Sequence, residues 1–181
     1  MPPANRYTRT AIGLHWLVAV AIIGTFGLGL YMHELPFSPD KLKLYAWHKW
    51  AGVSIFLLVL ARIAWRLSHR PPAPPASMPG WQRQAAEGVH LLLYALMLAG
   101  PLTGWLMSSA KGVPTVWFGV LPLPDLLGKD KALGELLATV HKILNLGMAA
   151  LVLVHAGAAL KHHFVDRDEV LARMLPRLKK P

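Results

Sequence analysis

Charge is swept out of four stretches of this chain. Residues 10–32 and 88–110 contain no Asp, Glu, Lys or Arg, and each is long enough to cross a hydrocarbon core about 30 Å thick as a helix rising about 1.5 Å per residue. Residues 44–67 hold Lys49, Arg62 and Arg66, and residues 136–160 hold Lys142. Those cations sit near the ends of their stretches, where long side chains reach back to the headgroups. Backbone N–H and C=O groups in hydrocarbon have no water to bond, so runs of this length are helices. The pattern predicts an all-α integral membrane four-helix bundle, with helices over about 10–32, 44–67, 86–110 and 136–162.

The connections follow from what interrupts the apolar runs. Residues 70–80, RPPAPPASMPG, form a proline-rich, extended linker between the second and third helices. Residues 111–135 carry Pro114, Pro122 and Pro124, which argue against a continuous helix and suggest a cap over one end of the bundle. No internal repeat and no separate soluble segment is visible, so residues 1–181 read as one membrane domain. The first apolar run follows Arg6 and Arg9, as a signal peptide would. It is longer than a typical signal core and closes on no small-x-small site, so it reads as a retained helix.

Charge then orients the bundle. An even number of crossings puts both termini and the 62–87 segment on one side, which carries twelve of the nineteen Lys and Arg residues. The positive-inside rule makes that side, with both termini, cytoplasmic. The formal net charge of +10, which in a soluble protein would suggest nucleic acid, here reads as topology and contact with anionic lipid; no nucleic-acid partner is expected. Trp16, Trp65 and Trp81 fall near the inner boundary, and Trp47, Trp50, Trp105 and Trp117 near the outer one. All nine Asp and Glu lie outside the helices or at their ends, leaving no acidic relay for a proton-coupled carrier. The chain has no cysteine, which excludes disulfides, iron–sulfur clusters and thiolate-held or thioether-linked haem.

Histidine remains as the ligand. His141 and His155 share the last apolar run; their spacing ends about 40° short of four turns and about 21 Å along the axis, so both rings face one way at two depths. His15 lies at the level of His155, and His48 at the level of His141, the latter two at the outer starts of their helices. Imidazole is a common axial ligand of haem iron, and facing helices of a bundle are where cofactors are held. Four histidines matched in depth point to two stacked haems, one near each surface. His90 also lies near the inner level, and depth alone does not choose between it and His15. If not a ligand, His90 would bond a haem propionate, a quinone carbonyl or a neighbouring helix. His162 follows His155 on the same helical face and would border an inner quinone site. His33, His69 and His163 read as interfacial.

Other side chains take readings that depend on the haems. Gly52 follows His48 in H-x-x-x-G and would leave space for a flat macrocycle, or simply let helices pack. Lys49 and Lys142 directly follow the outer histidines; they would pair with propionates or make the outer mouth electropositive. Arg62 and Arg66 would do the same inside, and all four cations would otherwise merely snorkel. Met97, Met107 and Met148 read as packing residues.

These pieces resemble one family. HWLVA at His15, HKWAG at His48, HLLLY at His90, HKILNLG at His141, LVHAGAALKHHF around His155 and the MLPR tail run in order through almost the whole chain. They are similar to the bacterial cytochrome b561 proteins and the related cytochrome b subunits of membrane-bound hydrogenases and formate dehydrogenases. The resemblance implies a four-helix bundle binding two haem b, with His15 and His155 on the inner iron and His48 and His141 on the outer. It further implies electron exchange with ubiquinone, either as an enzyme oxidising periplasmic superoxide or as an anchor subunit serving a partner dehydrogenase or reductase.

Overall fold

In the computed structural model, residues 6–176 and 178 are described; Arg177 of the MLPR stretch lies outside the described residues, as do 1–5 and 179–181. Four helices follow one another: α1 (Arg9–Glu34), α2 (Pro39–Ser68), α3 (Gly80–Ala110) and α4 (Lys131–Phe164). All four are long and apolar enough to cross a membrane. A two-stranded antiparallel hairpin, β1 (Val116–Trp117) and β2 (Leu121–Pro122), lies in the connection between α3 and α4.

Three of the helices begin earlier than their apolar runs. Ser38 accepts from the Lys41 amide, with Pro39 and Asp40 opening α2, and Asp130 accepts from the Leu133 amide to open α4. α3 starts directly after Pro79. Caps are polar by nature and lie outside the hydrocarbon, so an apolar run marks the embedded part of a helix and not its start. The consequence is a correction: His48 and His141 lie two turns and more inside α2 and α4, not at their outer starts.

Connected in sequence, the helices alternate in direction. The end carrying both described chain ends is called inner. Among the described residues α3 packs most extensively on α4, α1 on α2 and α2 on α3, whereas α4 approaches α1 and α2 at most sparsely. A cluster of Val18, Ile55, Val59, Leu93, Met97 and Met148 forms the buried core. Met148 stands midway between His141 and His155 in α4, so this core divides the interior into an inner and an outer compartment. Leu17, Val20, Ile23, Leu91, Leu153 and Val154 are exposed on the outside, as helix faces turned to lipid should be.

Both ends are closed by their connections. Outside, Lys49 donates to the carbonyls of Val113 and Pro114 and Trp50 to that of Val116, while Trp117 donates to the Trp50 carbonyl and Ser54. Phe118 and Gly119 turn the hairpin with positive φ, and the Phe118 ring packs on Trp50 and Trp117. Inside, Trp16 donates to the Met174 carbonyl and Arg173 to the Ala73 carbonyl, tying the tail to α1 and to the proline-rich linker. Trp65 donates to Thr8.

Candidate functional site

The helices bring the predicted histidines together in two groups. In the outer compartment His48 of α2 faces His141 of α4, with ring centroids 6.2 Å apart. In the inner one His15 of α1 faces His155 of α4, also at 6.2 Å. Two metal–imidazole bonds of about 2.0–2.1 Å through one ion, plus the reach from each nitrogen to its ring centre, put two centroids about 6 Å apart. Each pair has the separation of two axial ligands on one metal. His90 of α3 stands closer to His155, at 5.3 Å, shorter than that span, so geometry favours His15 as the opposed ligand and leaves His90 beside the pair.

The outer pair is seated by missing side chains. A Cβ on Gly104 of α3 would stand 3.1 Å from His141 Cε1, and one on Gly29 of α1 would stand 3.1 Å from His48 Cε1. The His141 Nδ1–H donates to the Gly100 carbonyl at 3.0 Å, and the Thr103 hydroxyl oxygen lies 3.2 Å from the same nitrogen. That hydroxyl donates to the carbonyls of Ala99 and Gly100, so its lone pairs are what it offers His141. With Nδ1 occupied, Nε2 is the nitrogen left for a metal, the usual arrangement around a metal-bound histidine. Asn145, a turn beyond His141, donates to the His141 carbonyl, and its side-chain oxygen lies 3.4 Å from where a Cβ on Gly100 would stand. The His48 ring reaches toward the Thr25 backbone, but its buried Nδ1 makes no well-formed hydrogen bond.

The inner group is held by charge. Arg62 of α2 donates to His15 Nδ1 at 2.9 Å, so in this arrangement the His15 proton is on Nε2; holding a metal through Nε2 would move that proton to Nδ1 and turn the guanidinium aside. Arg62 and Arg66 both lie over the ring of Tyr94 of α3, at 5.5 and 5.9 Å, a cation–π pair of contacts that fixes both guanidiniums at this level. His162 lies further toward the inner surface, where its Nδ1 stands 2.6 Å from Asp168 Oδ2 and 3.2 Å from Asp166 Oδ2. Lys161 pairs with the same Asp166.

The donor set fits haem b. Paired imidazoles, with the His141 Nδ1–H held by the Gly100 carbonyl and both pairs opposed across gaps that α4 leaves toward α1 and α2, suit ligation of a flat macrocycle between helices. A Cβ on Gly52 would meet nothing within 4 Å, which agrees with open space on that face.

Several placements differ from expectation or were not foreseen. Lys49 is committed to loop carbonyls, so its first role is to tie down the outer cap. Lys142 is exposed. Lys111, Lys129 and Lys131, passed over as loop residues, line an outer cleft of about 400 Å³ with Ala110 and Asp130. Gly29, Gly100, Thr103, Gly104 and Asn145 escaped the sequence reading. Gly100 and Gly104 form a G-x-x-x-G pair, the motif that lets membrane helices approach closely, and that signal was available.

Known proteins similar to this chain cover nearly its whole length. The family model described as prokaryotic cytochrome b561 matches residues 6–177. Cytochrome b561 homolog 2 of Escherichia coli (strain K12) is 35% identical, over 94% of this chain and 92% of its own length. Cytochrome b561 homolog 1 of the same organism is 32% identical, over 97% and 99%. A probable superoxide oxidase, CybB, of Yersinia pestis is 29% identical, over 96% and 97%.

Proposed function

The chain belongs to the prokaryotic cytochrome b561 family, a family of membrane electron-transfer proteins with b-type haem, and from that premise we propose that it carries electrons between the two faces of the bacterial inner membrane through two haem b. Its termini lie in the cytoplasm on this reading. The observation that carries it is the pair of matched gaps, 6.2 Å between His15 and His155 and 6.2 Å between His48 and His141. Bound there, the haems supply one-electron redox chemistry; the protein supplies position, ligation and the groups at each mouth.

At the outer face the electron donor is superoxide. Lys129 and Lys131, in an outer cleft they share with Asp130 and the Glu135-paired Lys111, raise the local concentration of a small anion, as oriented charge does for steered association. At the inner face the acceptor is ubiquinone. The balance is two superoxide ions, one quinone and two protons giving two dioxygen molecules and one quinol. His162, held by Asp168, stands where a proton is needed, and His90 beside the inner pair is the second group able to bond a quinone carbonyl. The relative described as a probable superoxide oxidase supports this donor.

The descriptions of the two Escherichia coli relatives as cytochrome b561 homologs name no electron donor, and the second reading is an anchor subunit passing electrons between quinone and a partner dehydrogenase or reductase. Stopped-flow mixing of purified haem-loaded protein with superoxide, with and without ubiquinone, separates the two. Rapid reduction of the haem bands followed by quinone-dependent reoxidation is the expected result. Bands that stay oxidised under superoxide would overturn the superoxide reading and leave the subunit one.

A further inference from the structure

We propose that Arg62 is a positioning residue that raises the reduction potential of the inner haem above that of the outer one, so that electrons run downhill from the outer face to the inner. The inference rests on the two-haem reading and adds a direction to it.

Two independent contacts push the same way. A guanidinium is always protonated and can only donate; its 2.9 Å contact uses a His15 Nδ1 lone pair that would be lost once Nε2 held a metal, but the Arg62 charge, stacked over Tyr94, would stay beside the ring. Arg66 is the next residue along the same face of α2, and the Tyr94 ring lies within 5.9 Å of both guanidinium carbons. Positive charge beside an axial ligand opposes the more positive, oxidised state of the iron and favours the reduced one; in a low-dielectric interior that effect is strong. The outer pair has the opposite surroundings. His141 gives its Nδ1 proton to the Gly100 carbonyl and faces the Thr103 hydroxyl oxygen, which makes the imidazole a stronger electron donor and favours the oxidised state. The cations nearest in sequence do not reverse this: Lys49 is bound to the Val113 and Pro114 carbonyls, and Lys142 is exposed.

The transfer itself balances simply. One electron leaves the outer site and one arrives at the inner site, with no proton exchanged between them.

The test is an equilibrium redox titration of the haem-loaded protein, followed by visible absorbance and by the two low-spin paramagnetic resonance signals, after a haem count per chain. The His141→Ala variant, keeping the inner site, assigns the inner wave. The inner wave is expected at the higher potential. Arg62→Gln is expected to lower it by at least tenfold in the one-electron equilibrium between the sites, about 59 mV, with the outer wave unmoved; Arg62→Lys is expected to keep most of the difference. An outer wave at the higher potential, or an Arg62→Gln protein with both waves in place, would overturn the proposal. If Arg62→Gln fails to hold the inner haem, the order of the waves in the unaltered protein and the response to Arg66→Gln still decide it. A count below two haems per chain would instead overturn the two-haem reading itself.

Discussion

The outer and inner histidine groups have the same 6.2 Å spacing and are built by opposite means. The outer pair is held by backbone: glycines where side chains would collide, a carbonyl and a hydroxyl on Nδ1, and a loop laced over the top. The inner group is held by side-chain charge: Arg62 on His15, Arg66 beside it, and a third histidine within 5.3 Å of His155. A backbone seat is rigid and tolerates few substitutions in its walls. A charged seat is adjustable, and its residues also act on whatever is bound.

The largest effect expected from this contrast is loss of one haem at a time. His141→Ala or His48→Ala should empty the outer site only, and His15→Ala or His155→Ala the inner site only, each leaving one haem per chain by pyridine haemochrome assay. His90→Ala should keep both; loss of the inner haem in that variant, with His15→Ala retaining it, would reverse the assignment. Next comes the seat. Gly104→Val and Gly29→Val add branched carbons where even a Cβ lies 3.1 Å from a ligand ring. They should lower outer haem occupancy several-fold while sparing the inner one, and equal loss at both levels would break the comparison. The smallest effect is at the rim. Lys129→Ala with Lys131→Ala should slow superoxide-driven haem reduction by a few-fold at low salt and converge on the unaltered rate as ionic strength rises, since exposed charges more than about 10 Å apart are screened near 0.1 M. A rate unchanged at every salt concentration would remove the steering role.

How much of this was legible in the sequence follows from the range of each interaction. Apolar runs and helical spacing are local, so the four helices and the two levels of His141 and His155 could be read directly. Helix starts could not be placed from hydropathy, because Ser38 and Asp130 cap their helices outside the apolar runs. The choice between His15 and His90 turned on a distance across the bundle. The contact from Arg62 to His15 joins residues far apart in sequence, and only the folded chain displays it. The loop contacts of Lys49 were illegible for a simpler reason. Its neighbour His48 points inward, and one residue along a helix rotates a side chain by about 100°, which carries Lys49 out to the loop. Gly104 was legible in principle through its spacing from Gly100, yet the partner it serves lies on another helix.

The apolar core between the two compartments has one more consequence. Val18, Ile55, Val59, Leu93, Met97 and Met148 carry no hydroxyl, amide or charged side chain, so this cluster offers protons no wire, and on the proposed reading electrons would cross it unaccompanied. On the proposed superoxide-to-quinone reading, turnover would therefore be electrogenic: dioxygen would be released on one side, protons consumed on the other, and the cytoplasmic face would grow negative. Each electron moving inward works against about 2.3 kcal/mol for every 100 mV already across the membrane. A downhill step between the haems is what would let the protein keep charging a membrane that is already energised.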